Sequence, residues 1–167
     1  TDKTSLPFLT GFDILDEKAI EIITAIRQEM PLISQGELVD FTKLFTAMLN
    51  YQGYCAQSGE YKNISNLSED DFRDNLIRYL SPDVTLASQI IKEGQLSGGR
   101  VEIRYKNIIA ELKVERTISD RDKMIEQYTK QPGAYAAATG AQLSILCILD
   151  LTAKMNPPAI TARNVFL

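Results

Sequence analysis

The stretch Gly98-Gly99-Arg100-Val101-Glu102-Ile103-Arg104-Tyr105-Lys106-Asn107-Ile108-Ile109-Ala110-Glu111-Leu112-Lys113-Val114 decides the fold. Val101, Ile103 and Tyr105 alternate with Glu102 and Arg104, the period of two that marks a strand with one covered face. A second strand is expected from Ile108 to about Val114, with Lys106-Asn107 as a two-residue turn, because asparagine tolerates positive φ better than most residues. Counting back from that turn pairs Tyr105 with Ile108, Arg104 with Ile109, Ile103 with Ala110, Glu102 with Glu111 and Val101 with Leu112. One face of the hairpin is then apolar or aromatic. Glu102, Glu111 and Lys113 share the other.

Upstream of the hairpin the pattern is helical. Ala19, Ile22, Ile23, Ile26 and Met30 recur at helical spacing between Asp16 and Met30, and Pro31 stops the helix. The box Ser34-x-x-Glu37 opens a second helix with Leu38, Phe41, Phe45 and Met48 on one face. The polar stretch Gln52 to Asn66, with Gly53 and Gly59, reads as a loop or linker. Ser68-x-x-Asp71 opens a third helix through Phe72, Leu76, Tyr79 and Leu80, closed by Pro82. Phe8, Phe12, Phe41 and Phe45 are expected in the core.

Downstream, Ser119-x-x-Asp122 is expected to cap a helix running through Lys123 and Gln127 towards Gln131, before Pro132-Gly133. The apolar run Leu143 to Leu149 predicts a strand covered on both faces and ending at Asp150. Helix, hairpin, helix and strand in that order predict an α/β fold with a mixed central sheet flanked by helices. The domains expected are a helical N-terminal region over residues 1–62 and a second domain over 63–167.

Composition narrows the chemistry. The 167 residues contain no histidine, which excludes imidazole-based triads, histidine phosphorelays and the usual zinc centres. Hydrolysis would therefore have to run on carboxylates, lysine and a hard metal ion. Cys55 and Cys147 are the only cysteines, so a disulfide framework is not expected and a reducing cytoplasm fits. The apolar runs fall short of the roughly 18–20 residues a membrane helix needs. The formal charge of −4 divides unevenly: residues 1–71 hold 5 Lys/Arg against 12 Asp/Glu, and residues 72–167 hold 13 against 10. Only the second part has the balance to face phosphate.

Two carboxylates directly opposite one another on a hairpin repel by a few tenths to about 1 kcal/mol. A divalent cation would turn Glu102 and Glu111 into a ligand set, and Mg²⁺ prefers such oxygen donors. Lys113, two residues beyond Glu111 on the same face, could orient water and offset charge growing on a phosphate. The other reading of Glu102, Arg104, Glu111 and Lys113 is a solvated strand face with cross-strand salt bridges.

Gly99-Arg100-Val101-Glu102-Ile103, then Glu111-Leu112-Lys113-Val114, then a helix and a buried strand, resemble the PD-(D/E)xK or restriction-endonuclease-like superfamily over roughly residues 68–152. Gln131-x-x-x-Tyr135 resembles the Q-x-x-x-Y element of its RecB-type members. The resemblance implies a restriction-endonuclease-like fold and a metal-dependent DNA nuclease, in a restriction or phage-defence setting. It assigns Glu102, Glu111, Lys113, Gln131 and Tyr135 to catalysis, with Gln131 and Tyr135 holding DNA near the metal. It also implies Mg²⁺, with Mn²⁺ as a substitute. Many members add an acid from the preceding helix, for which Glu69, Asp70 and Asp71 are candidates and Glu69 is chosen, giving Glu69, Glu102 and Glu111 as metal ligands.

The chain departs from the family pattern in carrying Glu102 where aspartate is usual, which puts turnover in question. The literal Pro82-Asp83 pair stands at a helix stop with no register opposite Glu111, and is not chosen. The alternative function is a catalytically inactive domain of this fold that binds nucleic acid or a protein partner. Expected partners are DNA, with RNA open, and a second copy or a larger assembly through the N-terminal helices. Arg100, Arg104, Lys106, Arg116, Arg121 and Lys130 are candidates for phosphate contacts.

Overall fold

The computed structural model describes residues 10–93, 101–129, 140–153 and 165; of Glu93, Val101 and Glu102 it describes the backbone alone. The described residues divide into two units, one made of residues 10–60 with residue 165 and the other of described residues from 61 to 153.

The first unit is helical. Helix α1 spans Asp13–Glu29 and buries Leu15, Ala19, Ile22, Ile23 and Ile26 along one stripe. Helix α2 spans Gln35–Ser58, with the Ser34 hydroxyl accepting from the Glu37 N–H as the capping box requires. Phe41 and Phe45 are buried and stack with ring centroids 5.3 Å apart. Phe12 is 55% exposed, because it is the N-cap residue of α1 and precedes the buried stripe, so it does not join the core. The expected loop over Gln52–Asn66 begins too early. Gly53 is accommodated inside α2, and the helix stops only at Gly59, whose φ of +67° and N–H bond to the Cys55 carbonyl form the left-handed C-cap.

The second unit is α/β. Helix α3 spans Glu69–Leu80, its capping box complete in both directions between Ser68 and Asp71. A single turn, α4 (Val84–Ala87), follows, and Asp83 caps it by accepting from the Leu86 N–H at 3.0 Å. Strand β1 (Ile90–Glu93) then pairs antiparallel with β2 (Val101–Tyr105), and β2 pairs antiparallel with β3 (Ile108–Glu115). Helix α5 (Arg121–Thr129) leads on to β4 (Ser144–Asp150), which runs parallel to β3. Among the described residues the sheet is four-stranded and mixed, in the order β1-β2-β3-β4, with α3 packed on β2 and β3.

The hairpin register is the one that counting from the turn predicts: Glu102 faces Glu111, and Ile103 faces Ala110. Positive φ falls on Lys106, at +53°, and not on Asn107; the Lys106 ammonium lies 5.5 Å from the centroid of the Tyr105 ring. Every residue of β3 is buried, which follows from its central place between β2 and β4. Strand β4 is half-buried over most of its length and not covered on both faces, because it lies at the edge of the sheet. The cap of α5 is Asp120, not Ser119: its carboxylate accepts from the Lys123 N–H at 3.0 Å, one residue later than the box spacing predicted.

Candidate metal centre

The two faces of β3 differ in chemistry. Ile108, Ala110, Leu112 and Val114 line one, and Ile109, Glu111, Lys113 and Glu115 the other. Glu111, Lys113 and Glu115 are only 6%, 7% and 3% exposed, so this is not the solvated face that surface salt bridges would need. Charges withdrawn from water to this extent are retained only with partners close by.

Lys113 supplies the first such set. Its Nζ lies 3.6 Å from Glu111 Oε1 and 3.6 Å from Glu69 Oε2. Glu69 arrives from the first turn of α3, a different element, and its side chain is about a quarter exposed. The helix start also sorts the three neighbouring acids. Asp71 accepts from the Ser68 hydroxyl and N–H, which hold its carboxyl below the usual range; Asp70 pairs with Arg73 at 2.8 Å. Glu69 alone of the three meets Lys113 among the contacts described.

Glu115 continues the row. Its Oε1 accepts from the N–H groups of Arg116, Thr117 and Ile118 at 2.7, 2.6 and 3.0 Å and from the Thr117 hydroxyl at 2.9 Å. The Tyr128 hydroxyl of α5 donates to Oε2 at 2.9 Å. Burial would raise the Glu115 carboxyl, but these hydrogen bonds, from Ile118 and Thr117 first, outweigh it and take the pKa to about 2. Burial and the two anions Glu115 and Glu69 push the Tyr128 phenol up to about 12. Both therefore stay as they are at neutral pH, one an anion and the other a donor.

Sequence reading found Glu69, Glu111 and Lys113, and these the structure brings together. Glu102 is opposite Glu111 in register. Gln131 and Tyr135 lie outside the described residues. Glu115 and Tyr128 were missed. The helix expected through Lys123 and Gln127 exposes both, whereas Met124 and Tyr128, one position on, are buried and half-buried. Glu115 does carry a signal in its alternation with Glu111 and Lys113, but the main-chain donors that hold it have no mark in the sequence.

Two of the six candidate phosphate-binding cations have partners close by and two lie outside the described residues. Arg116 donates to the Leu67 carbonyl, Arg121 lies 3.7 Å from Asp122, and Arg100 and Lys130 fall outside the described residues. Among the described residues no three Asp, Glu or Cys side chains form a group able to hold a metal ion. No helix of the described residues is long and apolar enough to cross a membrane. No family model, no curated protein and no solved structure matches the chain.

Proposed function

We propose that the second unit is a PD-(D/E)xK-type domain that hydrolyses phosphodiester bonds in DNA with a divalent cation. The observation that carries this reading is Lys113, whose ammonium lies against Glu69 and Glu111 on a buried strand face that Glu102 adjoins in register. The element order supports it: a helix, the β2–β3 hairpin, a helix and a further strand follow the order that the resemblance implies, although β4 is half-buried.

The residues suit Mg²⁺ or Mn²⁺. Glu69, Glu102 and Glu111 are hard oxygen donors, and Mg²⁺ is commonly held by one or two carboxylates with waters completing its shell. The place between Glu69 and Glu111 already favours positive charge, since it holds an ammonium on a largely buried face. In this reading Glu69, Glu102 and Glu111 hold the ion. A divalent cation held there would supply Lewis acidity and ease the deprotonation of water, so that hydroxide is available to attack phosphorus.

Lys113 lies between two carboxylates where water is largely excluded, so its side chain can offset the charge that builds on phosphate oxygens as the bond breaks. Glu111 keeps that ammonium in place. Gln131 and Tyr135 would hold the DNA strand, as the resemblance implies. The setting it suggests is a restriction or phage-defence system.

Cleavage of single-stranded DNA, double-stranded DNA and RNA with Mg²⁺ or Mn²⁺, by the parent chain and by Glu111→Ala, tests this. The expected result is metal-dependent DNA cleavage abolished in the variant; cleavage that survives Glu111→Ala overturns it. A second reading is a binding domain without turnover, favoured by the pairing of Lys113 with two carboxylates as a self-sufficient ion network. It is established instead if no metal supports cleavage and DNA binding weakens steeply with salt.

A further inference from the structure

The proposed centre draws its acids from three places, β2, β3 and the start of α3, and something must hold the start of α3 at the right distance. The turn after β3 does this by a chain of contacts. Glu115 gathers the N–H groups of Arg116, Thr117 and Ile118 onto one carboxylate oxygen, which fixes the course of the turn. Tyr128 closes the other oxygen from α5. From the turn so fixed, the Arg116 guanidinium donates to the carbonyl of Leu67. Leu67 is buried and directly precedes Ser68, the cap of α3, and Glu69 is the first residue of that helix.

We propose that Arg116, oriented by Glu115, is the positioning residue that sets Glu69 against Lys113 and so completes the cation centre. This rests on the metal-centre reading above. Among the described contacts Arg116 bonds to none of the proposed ligands, and its guanidinium meets a main-chain carbonyl that any residue at position 67 would supply. A cation kept for phosphate would be expected to face outward; this one is turned back onto the helix start. The partners that orient metal ligands often matter nearly as much as the ligands themselves.

The test is Mn²⁺ titration by calorimetry on the full chain, for the parent, Glu69→Ala, Arg116→Ala and the double variant. Arg116→Ala is expected to weaken Mn²⁺ binding by about 10-fold, in the range that loss of a ligand-orienting partner produces. The double variant is expected to bind no more weakly than Glu69→Ala alone, because Arg116 acts through Glu69. Arg116→Lys, which keeps a donor, should recover part of the loss. Parent-like affinity in Arg116→Ala, or losses that add in the double variant, overturns the proposal.

Amide exchange gives a readout that needs no metal. The Phe72 N–H, the first bonded within α3 to Ser68, should exchange roughly ten times faster in Arg116→Ala, with Leu112 unchanged. If the parent binds no Mn²⁺ the metal-centre reading fails, and the exchange result alone decides whether Arg116 sets the helix start: unchanged exchange at Phe72 overturns that too. Should Arg116→Ala fail to fold, Glu115→Gln is measured in its place, with the same expectations and the same overturning results.

Discussion

Lys113 of β3 and Glu69 of α3 face each other at 3.6 Å, and the same ammonium is equally far from Glu111 on its own strand. An ion pair this far from water loses more when one member is removed than when both are absent, since the survivor is left as a buried charge. Lys113→Ala should therefore destabilise the domain by about 3 kcal/mol, well beyond the roughly 0.5 kcal/mol of an exposed substitution. Added Mg²⁺ should raise the melting temperature of this variant more than that of the parent. Equal shifts in the two proteins would mean that Lys113 and the metal do not share a site.

The same substitution should separate binding from turnover. With the ammonium gone, Mn²⁺ affinity should hold or increase, while DNA cleavage falls about 100-fold or more through loss of electrostatic stabilisation. Cleavage as fast as the parent's would remove Lys113 from the mechanism.

Glu111→Ala should behave in the opposite way, losing Mn²⁺ binding and cleavage together, because its oxygens are ligands in the proposed centre. Calorimetry with Mn²⁺ on this variant beside Lys113→Ala gives the comparison. A variant that binds Mn²⁺ like the parent would place the ion elsewhere.

Glu115 predicts a specific acid limb. Its carboxyl is held at about 2, below its ordinary value of 4.5, so the stability it contributes is complete above the unfolded-state value and is lost as pH falls from about 4.5 towards 2. The shift corresponds to stabilisation on the order of 3 kcal/mol at neutral pH. Glu115→Gln should show that loss at pH 7 and a flatter dependence between pH 5 and 2, read by urea denaturation across the range. An unchanged acid limb would mean that other carboxyls set it.

In the helical unit, Gly59 holds a φ of +67° that a Cβ disfavours. Gly59→Ala should cost about 1 kcal/mol without touching the proposed centre. Denaturation monitored by far-ultraviolet circular dichroism would show it, and a neutral result would mean that the helix end simply unwinds.

Much of this architecture was legible because its signals are local. The alternation from Val101 to Val114 and the two-residue turn fix the pairing of Glu102 with Glu111, and Ser34 and Ser68 mark two helix starts. The rest depends on partners distant in sequence or on main-chain atoms. Strand β1 is four residues long, too short for a period, and is defined by its pairing with β2. Gly53 looks like a break until the packed length of α2 overrides it. Asp120 displaces Ser119 as the cap by one position, and it is Tyr128, not Gln127, that reaches Glu115. The choice of Glu69 from three adjacent acids needed the other two to be occupied, and only the structure supplies that.

The two-residue turn at Lys106-Asn107 has a consequence for the order in which the domain assembles. A hairpin so tightly closed can form in about 1–10 μs, whereas contacts distant along the chain must wait for larger loops to close. Glu102 and Glu111 would then be brought opposite each other before Glu69 and the parallel strand β4 have docked, and the early hairpin carries the repulsion between them near its open end, with Lys113 of β3 as the cation at hand. Millimolar Mg²⁺ should consequently quicken refolding in stopped-flow experiments. Glu102→Gln should refold at one rate with or without the ion, making the nascent hairpin a sensor of divalent cations before the fold is complete.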